Sequence, residues 1–468
     1  MKASLLGVIL GFTVISLGQT PPTQLTIVHA NVVDTRHGTI LRNQTVVLRG
    51  GTIATLSADS TVKAKKAVID AGGKYLIPGL WDMHVHSALT PVWDERAIYP
   101  LYIANGVTGI RDMGGDPELL KQRRSRIDCG EVLGPHMIMA GPFLAEGKGN
   151  SETIAVNTPE DARLAVDGLK QRSVDFVKIL SLSRESYFAV AEESAKQHMF
   201  FVGHVPTAVR VAEASAAGQH SIEHLTGVSL ACSAKEDEIR SEMLDARAKK
   251  DYAAFIPLGQ QVLDTYDPDK AQRLFALLKK NSTWQVPTLV WTQANSAVDD
   301  PEKLLSDRRL DFVPAKIRGM WDPRKILTQT SAEELKLAKA ELARDIELVG
   351  TMHTAGIPFM AGSDGPDPFV FPGSSLHDEL ELLVKAGFTP AEALQAATLQ
   401  PAMFMDQLDR YGVVESGHAA DLVLLEANPL VDIAGTRKIA AVVLNGRYYS
   451  REELDKILAQ VQGLARNR

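Results

Sequence analysis

Cysteine is nearly absent from this chain. Cys129 and Cys232 are the only two among 468 residues. Two thiols cannot build a disulfide framework, so they are either free or joined in one bridge. Basic residues do not gather into patches, and the net charge of -7 is mild, which argues against a nucleic-acid partner. Beyond the first twenty residues no stretch is apolar over the length that crosses a bilayer. The glycine-rich dinucleotide fingerprint is missing after the first central strand, which counts against a Rossmann domain. There is no internal repeat or low-complexity tract. What remains is ordinary for a globular protein, 45% apolar and 23% charged, and long enough for one large domain plus a smaller one.

The N-terminus reads as a targeting segment. Lys2 supplies a positive start, and Leu5 to Leu17 forms an apolar run too short to span a bilayer comfortably. Ser16 and Gly18 are small residues at the spacing a signal peptidase reads, so cleavage is expected just before Gln19. No cysteine follows, so a lipoprotein anchor is not expected; an uncleaved membrane anchor is the alternative. The expectation is an exported protein, periplasmic or extracellular, with residues 1–18 removed and no membrane span in the mature chain.

Residues 24–75 read as short strands, including Thr26–Val33 and a hairpin of Thr45–Arg49 and Thr52–Leu56 around Gly50-Gly51. The far end has the same character. Ala420–Leu425 is a strand candidate, and Ala441–Leu444 with Arg447–Tyr449 flanks an Asn445-Gly446 turn. Neither group holds enough strands to stand alone, so 19–75 and 410–468 are expected to pack together as one small β domain, with a helix closing the chain. The middle, 76–409, alternates strands and helices. Leu76–His86, Val107–Met113, Met137–Pro142, Val174–Leu180, Phe200–His204, Ser221–His224, Gln285–Val290 and Pro358–Asp364 make eight strand candidates. Helical patterns such as Thr158–Arg172, Arg184–Gln197 and Ala332–Ala355 separate most of them. Apolar strands in βα alternation mean a parallel sheet covered by helices. Eight units suggest a (β/α)8 TIM barrel, and an open doubly wound sheet is the alternative. The long segments 230–282 and 293–331 are expected to form helical caps.

Chemistry concentrates at the C-terminal ends of these strands, where barrel sites are built. Asp82-Met83-His84-Val85-His86 alternates its side chains, so Asp82, His84 and His86 share one face. Two imidazoles on one face can chelate a metal, with the carboxylate orienting them, although a lone H-x-H is a weak signal. Lys178 sits among apolar residues, His204 and His224 end the fifth and sixth strands, and Asp364 ends the eighth. One buried polar group can be structural; four histidines, a lysine and an aspartate at matched strand ends point to a site.

These residues carry a resemblance. Pro78-Gly79-Leu80-Trp81-Asp82-Met83-His84-Val85-His86, Gly106–Asp112, Ser221-Ile222-Glu223-His224 and Gly417–Val423 resemble signature motifs of the amidohydrolase superfamily. The match is closest to its imidazolonepropionase-like branch, which includes Xaa-Pro dipeptidases (prolidases), and it covers nearly the whole mature chain. The resemblance implies a distorted (β/α)8 barrel with a small β-sandwich from both chain ends. It also implies two divalent ions, usually Zn2+. His84, His86 and Asp364 would hold one, His204 and His224 the other, and Lys178, carbamylated by CO2, would bridge them. In that chemistry a metal-bridged hydroxide attacks a carbonyl, and Asp364 passes its proton to the leaving amine.

Two departures concern the pocket. A Gly-Gly pair is missing after Lys178, and Gly141–Gly147 replaces the family's glycine-histidine loop. His377 is a candidate for contact with substrate or with the groups that support the site, or for capping the helix that follows. His220, at the start of its strand, reads as structural; Trp284, Trp291 and Trp321 read as pocket or core, with core favoured. The expected activity is hydrolysis of a C–N bond in a small amide, a dipeptide or an N-acyl amino acid. The rivals are a cyclic amide or lactone hydrolase and a silent metal-binding protein on the same scaffold. The expected partner is a small-molecule or short-peptide substrate, with a homo-oligomer as an option.

Overall fold

A computed structural model describes residues 24–58, 67–89 and 91–466. The expected signal segment lies outside the described residues.

The two chain ends do meet in one sheet. Its eight strands include Leu25–Asp34, Thr39–Arg49, Thr52–Ser57 and Tyr75–Pro78 from the start of the chain and Leu422–Leu425, Ile439–Leu444 and Arg447–Ser450 from its end. Tyr75–Pro78 is the joint, pairing parallel with Leu25–Asp34 on one side and antiparallel with Leu422–Leu425 on the other. The sheet curls back on itself. Thr52 bridges to Ala419, and a Cβ on Gly446 would stand 1.7 Å from the Gly50 carbonyl oxygen, so the two hairpin turns press together as only glycine allows. Ile27, Val46, Leu48, Ile53, Leu424 and Val443 fill the enclosed core.

All strand pairings within the central sheets are parallel. One sheet orders Leu80–Val85, Val107–Asp112 and His136–Met139. Another includes Phe143–Ala145, Phe176–Ser181, Phe200–Gly203, Ser221–Glu223 and Trp284–Val286. Backbone bonds link them: the Asp175 amide donates to the Met139 carbonyl, and the Met360 amide to that of Gln285. The Met83 amide donates to Ala361, and the Asp364 amide to His84. Helices Pro159–Gln171, Arg184–Lys196 and Ala332–Thr354 form where periodicity placed them, two of them with capping boxes. The terminal helix Arg451–Arg466 packs on Glu95–Ala104.

Three strand expectations need correction. Leu76–His86 is two strands, broken at Gly79, whose missing Cβ would stand 2.0 Å from the Thr108 hydroxyl. Gln285–Val290 stops at Val286, because Thr288 turns into the left-handed region (φ 49°) and starts helix Leu289–Ser296. Pro358–Asp364 is no regular strand: Pro358 and Met360 bond to Gln285, the Ala361 amide turns to Ala396, Ala361 and Asp364 bond to Met83 and His84, and Asp364 has φ 66°. The segments 230–282 and 293–331 are helical as expected, the first through Glu236–Lys249, Phe255–Asp264 and Pro268–Lys280. Both cysteines are free thiols, Cys129 exposed and Cys232 buried.

Candidate metal centre

Glycine makes room for the site twice. A Cβ on Gly362 would stand 2.7 Å from that of His84, and one on Gly203 would stand 2.2 Å from the Ile179 carbonyl and 2.9 Å from Lys178 Cδ. These close approaches let Pro358–Asp364 lie against His84, and let the strand carrying His204 lie against the one carrying Lys178.

The structure draws His84, His86, Lys178, His204, His224 and Asp364 together. One ligand atom from each of His84, His224 and Asp364 lies within 4.8 Å of the others. His84 Nε2 is 3.2 Å and His86 Nε2 3.1 Å from Asp364 Oδ1. The His204 and His224 rings are 5.1 Å apart, and those of His84 and His224 4.6 Å. His224 thus stands as near to the His84 side as to His204. His224 and Asp364 both have positive φ, a strained backbone of the kind that clusters at functional sites.

Protonation suits ligation. Burial is the main force holding His84 and His224 well below the ordinary imidazole value, and it takes His204 down to about 3. Neutral imidazoles keep a lone pair for a cation. Burial raises Asp364, but His224, His86 and Lys178 outweigh it and hold its carboxyl below the usual range. Lys178 is buried, and that burial brings its amine down to about 8 against the pull of Glu223 and Asp364. Among the described residues Lys178 forms no ion pair. Buried His86 Nδ1 has no hydrogen-bond partner among the described residues, and His84 Nε2 and Asp364 Oδ1 have only their close approach to each other and to His86, without hydrogen-bond geometry; such groups are costly unless something else binds them. The donor set, imidazole nitrogens with a carboxylate oxygen, fits a divalent ion.

The orienting carboxylate is not the one expected. Asp82 accepts from the Ser363 amide at 2.9 Å and hydroxyl at 2.6 Å, tying two segments together. Burial raises its carboxyl to about 7. Glu223 takes the orienting role: its Oε2 accepts from His84 Nδ1 at 2.8 Å, which leaves Nε2 for a metal. Arg111 pairs with both Glu223 oxygens at 3.0 and 2.9 Å. Thr288 Oγ1 holds His224 Nδ1 at 2.7 Å. Strand alternation hid Glu223, since it puts neighbours 223 and 224 on opposite faces. The left-handed turn at His224 undoes that rule.

A cavity of about 370 Å³ opens on the cluster, walled by Phe143, Leu180, Trp93, Trp291, Ile317 and Trp321. Phe143 and Leu180 come from the two segments whose departures from the family pattern pointed to a pocket, both of them in strands here. Ile317 and Trp321 come from the 293–331 segment. Trp284 instead packs on Phe404 in the core, and His220 stacks on Phe200. His377 is neither a cap nor a substrate contact. It lies inside helix Ser374–Lys385, fully buried, with Nδ1 on Thr436 at 2.9 Å and Nε2 on the Asn105 carbonyl at 3.0 Å. Both ring nitrogens are spent on packing, and the residue is absent from the cavity wall.

Comparison with known proteins agrees with the motifs. The chain is 21% identical to ochratoxinase of Aspergillus niger over 483 aligned positions, covering 89% of this chain and 84% of that protein. Among solved structures it resembles a Xaa-Pro dipeptidase with bound methionine in the active site, at a TM-score of 0.66 and 19% identity over 91% of this chain and 100% of the other. A bottromycin amidohydrolase matches at 0.71 and 20% identity over 95% and 91%. At these identities the structural likenesses speak for the fold alone, an α/β architecture with parallel sheets. The profile described as the amidohydrolase family matches residues 75–448, most of the chain and every residue of the cluster, so the chain belongs to the amidohydrolase family.

Proposed function

We propose that this amidohydrolase is an exported, metal-dependent enzyme that cleaves a C–N bond in a small amide such as a dipeptide. The observation that carries the reading is the convergence of His84, His224 and Asp364 at the foot of an aromatic cavity. The fold we infer is a closed, distorted (β/α)8 barrel, with the curled terminal sheet as a β-sandwich beside it. The backbone links through Met83, Ala361, Gln285 and Met360 support closure.

In this proposal His84, His86 and Asp364 would hold one divalent ion, most simply Zn2+, and His204 and His224 would hold a second. Lys178 would contribute as a carbamate, its amine adding to CO2 with loss of a proton, which would turn a cationic group into an anionic oxygen donor for the ions. A buried amine near neutrality suits that addition. Divalent ions in such a site supply Lewis acidity and lower the pKa of coordinated water.

The chain's own groups do the rest. Glu223 fixes the His84 tautomer, and Arg111 holds Glu223 in place. Asp364 accepts a proton and hands it to the leaving amine, which departs neutral. The tryptophan and phenylalanine walls exclude water and bind an apolar substituent. Export is a proposal from Lys2, the Leu5–Leu17 run and the Ser16/Gly18 pair. N-terminal sequencing of native protein should begin at Gln19; a retained Met1 in the cytoplasmic fraction would overturn it. The test of the main reading is metal analysis with a dipeptide hydrolysis screen. About two ions per chain and metal-dependent turnover are expected; one ion at saturation with Lys178 unmodified defeats the two-ion form, and no turnover defeats the hydrolase.

A further inference from the structure

The cavity contains one charged group outside the candidate metal cluster. Asp367 lines it, three residues past Asp364. Its position is fixed from several sides. Oδ2 accepts from the Trp291 indole Nε1 at 2.6 Å. The Asp367 amide and carbonyl both bond to Val370, closing a tight turn. Gly365, just before it, accepts from the His86 amide at 2.8 Å and so ties the turn to the first strand. Trp291 in turn lies 5.6 Å, ring to ring, from His224. Oδ1 of Asp367 has no hydrogen-bond partner among the described residues. Burial raises the carboxyl to about 6, and among the described residues it forms no ion pair.

The surroundings add to this. Trp93, Trp291 and Trp321 wall the same cavity, with Trp93 and Trp321 6.0 Å apart. A fixed carboxylate among tryptophan rings is the chemistry that recognises an organic ammonium. The carboxylate makes a charge-assisted hydrogen bond, and the ring faces attract the cation and its apolar stem. A carboxylate there also repels an anionic group on a substrate.

We propose that Asp367 binds a positively charged amine of the substrate, so that the preferred amides carry a free ammonium on an apolar stem. Among the substrate classes considered, this favours short peptides and amino-acid amides with an unblocked amino terminus over N-acylated amino acids. The turnover part rests on the amidohydrolase reading; the binding part does not.

The binding arm uses the full-length zinc-loaded protein and two probes of equal shape, 2-phenylethylammonium and neutral 2-phenylethanol, followed by tryptophan fluorescence. The ammonium should bind about tenfold or more tightly, the scale of one charge-assisted hydrogen bond. Asp367→Asn, which can still accept from Trp291, should erase that ratio, and Asp367→Glu should restore part of it. The turnover arm compares phenylalanine amide with N-acetylphenylalanine amide. The free amine should have the lower KM by a similar factor, and Asp367→Asn should collapse the difference through KM. Equal binding of the two probes, or a ratio that survives Asp367→Asn, overturns the proposal and leaves Asp367 as an anchor for Trp291. If neither amide is hydrolysed, the hydrolase reading is what has failed, and the binding arm alone decides for or against Asp367.

Discussion

Replacing Arg111 with methionine should expose how far the site depends on a group that touches no ligand. Arg111 and Glu223 are both fully buried. The guanidinium donates to both Glu223 oxygens, to Ser221 Oγ at 3.0 Å and to the Met83 carbonyl at 2.5 Å. Methionine fills much of the volume but satisfies none of these acceptors. Glu223 would be left as a buried carboxylate whose remaining partners are His84 and Ser221. Removing one member of a buried pair costs about 3–5 kcal/mol, so unfolding in urea should shift by that amount. Zinc affinity should fall about 10–100-fold, because the carboxylate that orients His84 is disturbed. Adding Glu223→Gln should recover stability, since the uncompensated charge is gone, without recovering the metal affinity. A loss below about 1 kcal/mol for Arg111→Met, or a double variant less stable than the single, would refute the reasoning.

Lys178→Ala should lose the second metal and most activity, with partial rescue by short carboxylic acids, whose oxygens can replace those of the carbamate; metal analysis with and without acetate checks it, and full activity would remove Lys178 from the mechanism. Asp364→Asn should keep substantial metal but lose at least about a hundredfold in kcat, the scale of general acid–base catalysis; near-normal turnover would assign the proton to another group. Among the described residues Asp345 has no ion-pair partner, and burial, then Glu341, raises it from 3.8 to about 7. An acid with a raised folded pKa costs stability as pH climbs from its unfolded value through its folded one, so Asp345→Asn should gain nothing at pH 3 and stabilise at pH 8. The full shift would be worth about 4 kcal/mol, which partial exposure trims to about 2; an equal effect at both pH values in urea titrations would show that the charge is not the cause.

Legibility differed by kind of residue. His84, His86, His204, His224 and Asp364 could be read because polar residues at the ends of apolar strands stand out from their surroundings. Helices Pro159–Gln171 and Ala332–Thr354 were readable because their caps are local. Glu223, Arg111 and Asp367 were not assigned roles. Two depend on contacts between segments more than a hundred residues apart, and the third on a turn after the last strand position. The boundary at Gly79 was missed for a similar reason: its close approach to Thr108 is a tertiary fact. His377 misled because a histidine in a polar run beside a site looks available, while Thr436 and Asn105, which use up its ring, lie far off in sequence.

The strand Tyr75–Pro78 also sets an order of events in the life of the chain. It runs through Gly79 directly into the strand that carries His84, yet one of its two edges is closed only by Leu422–Leu425. During synthesis that edge must wait for nearly 350 further residues, as the two numberings show. Until then an apolar strand with open hydrogen-bonding groups is a template for pairing with another chain. The last fifty residues therefore act as a seal applied late. A ribosome-stalled or C-terminally clipped product should aggregate through this edge even though every candidate metal ligand is already present.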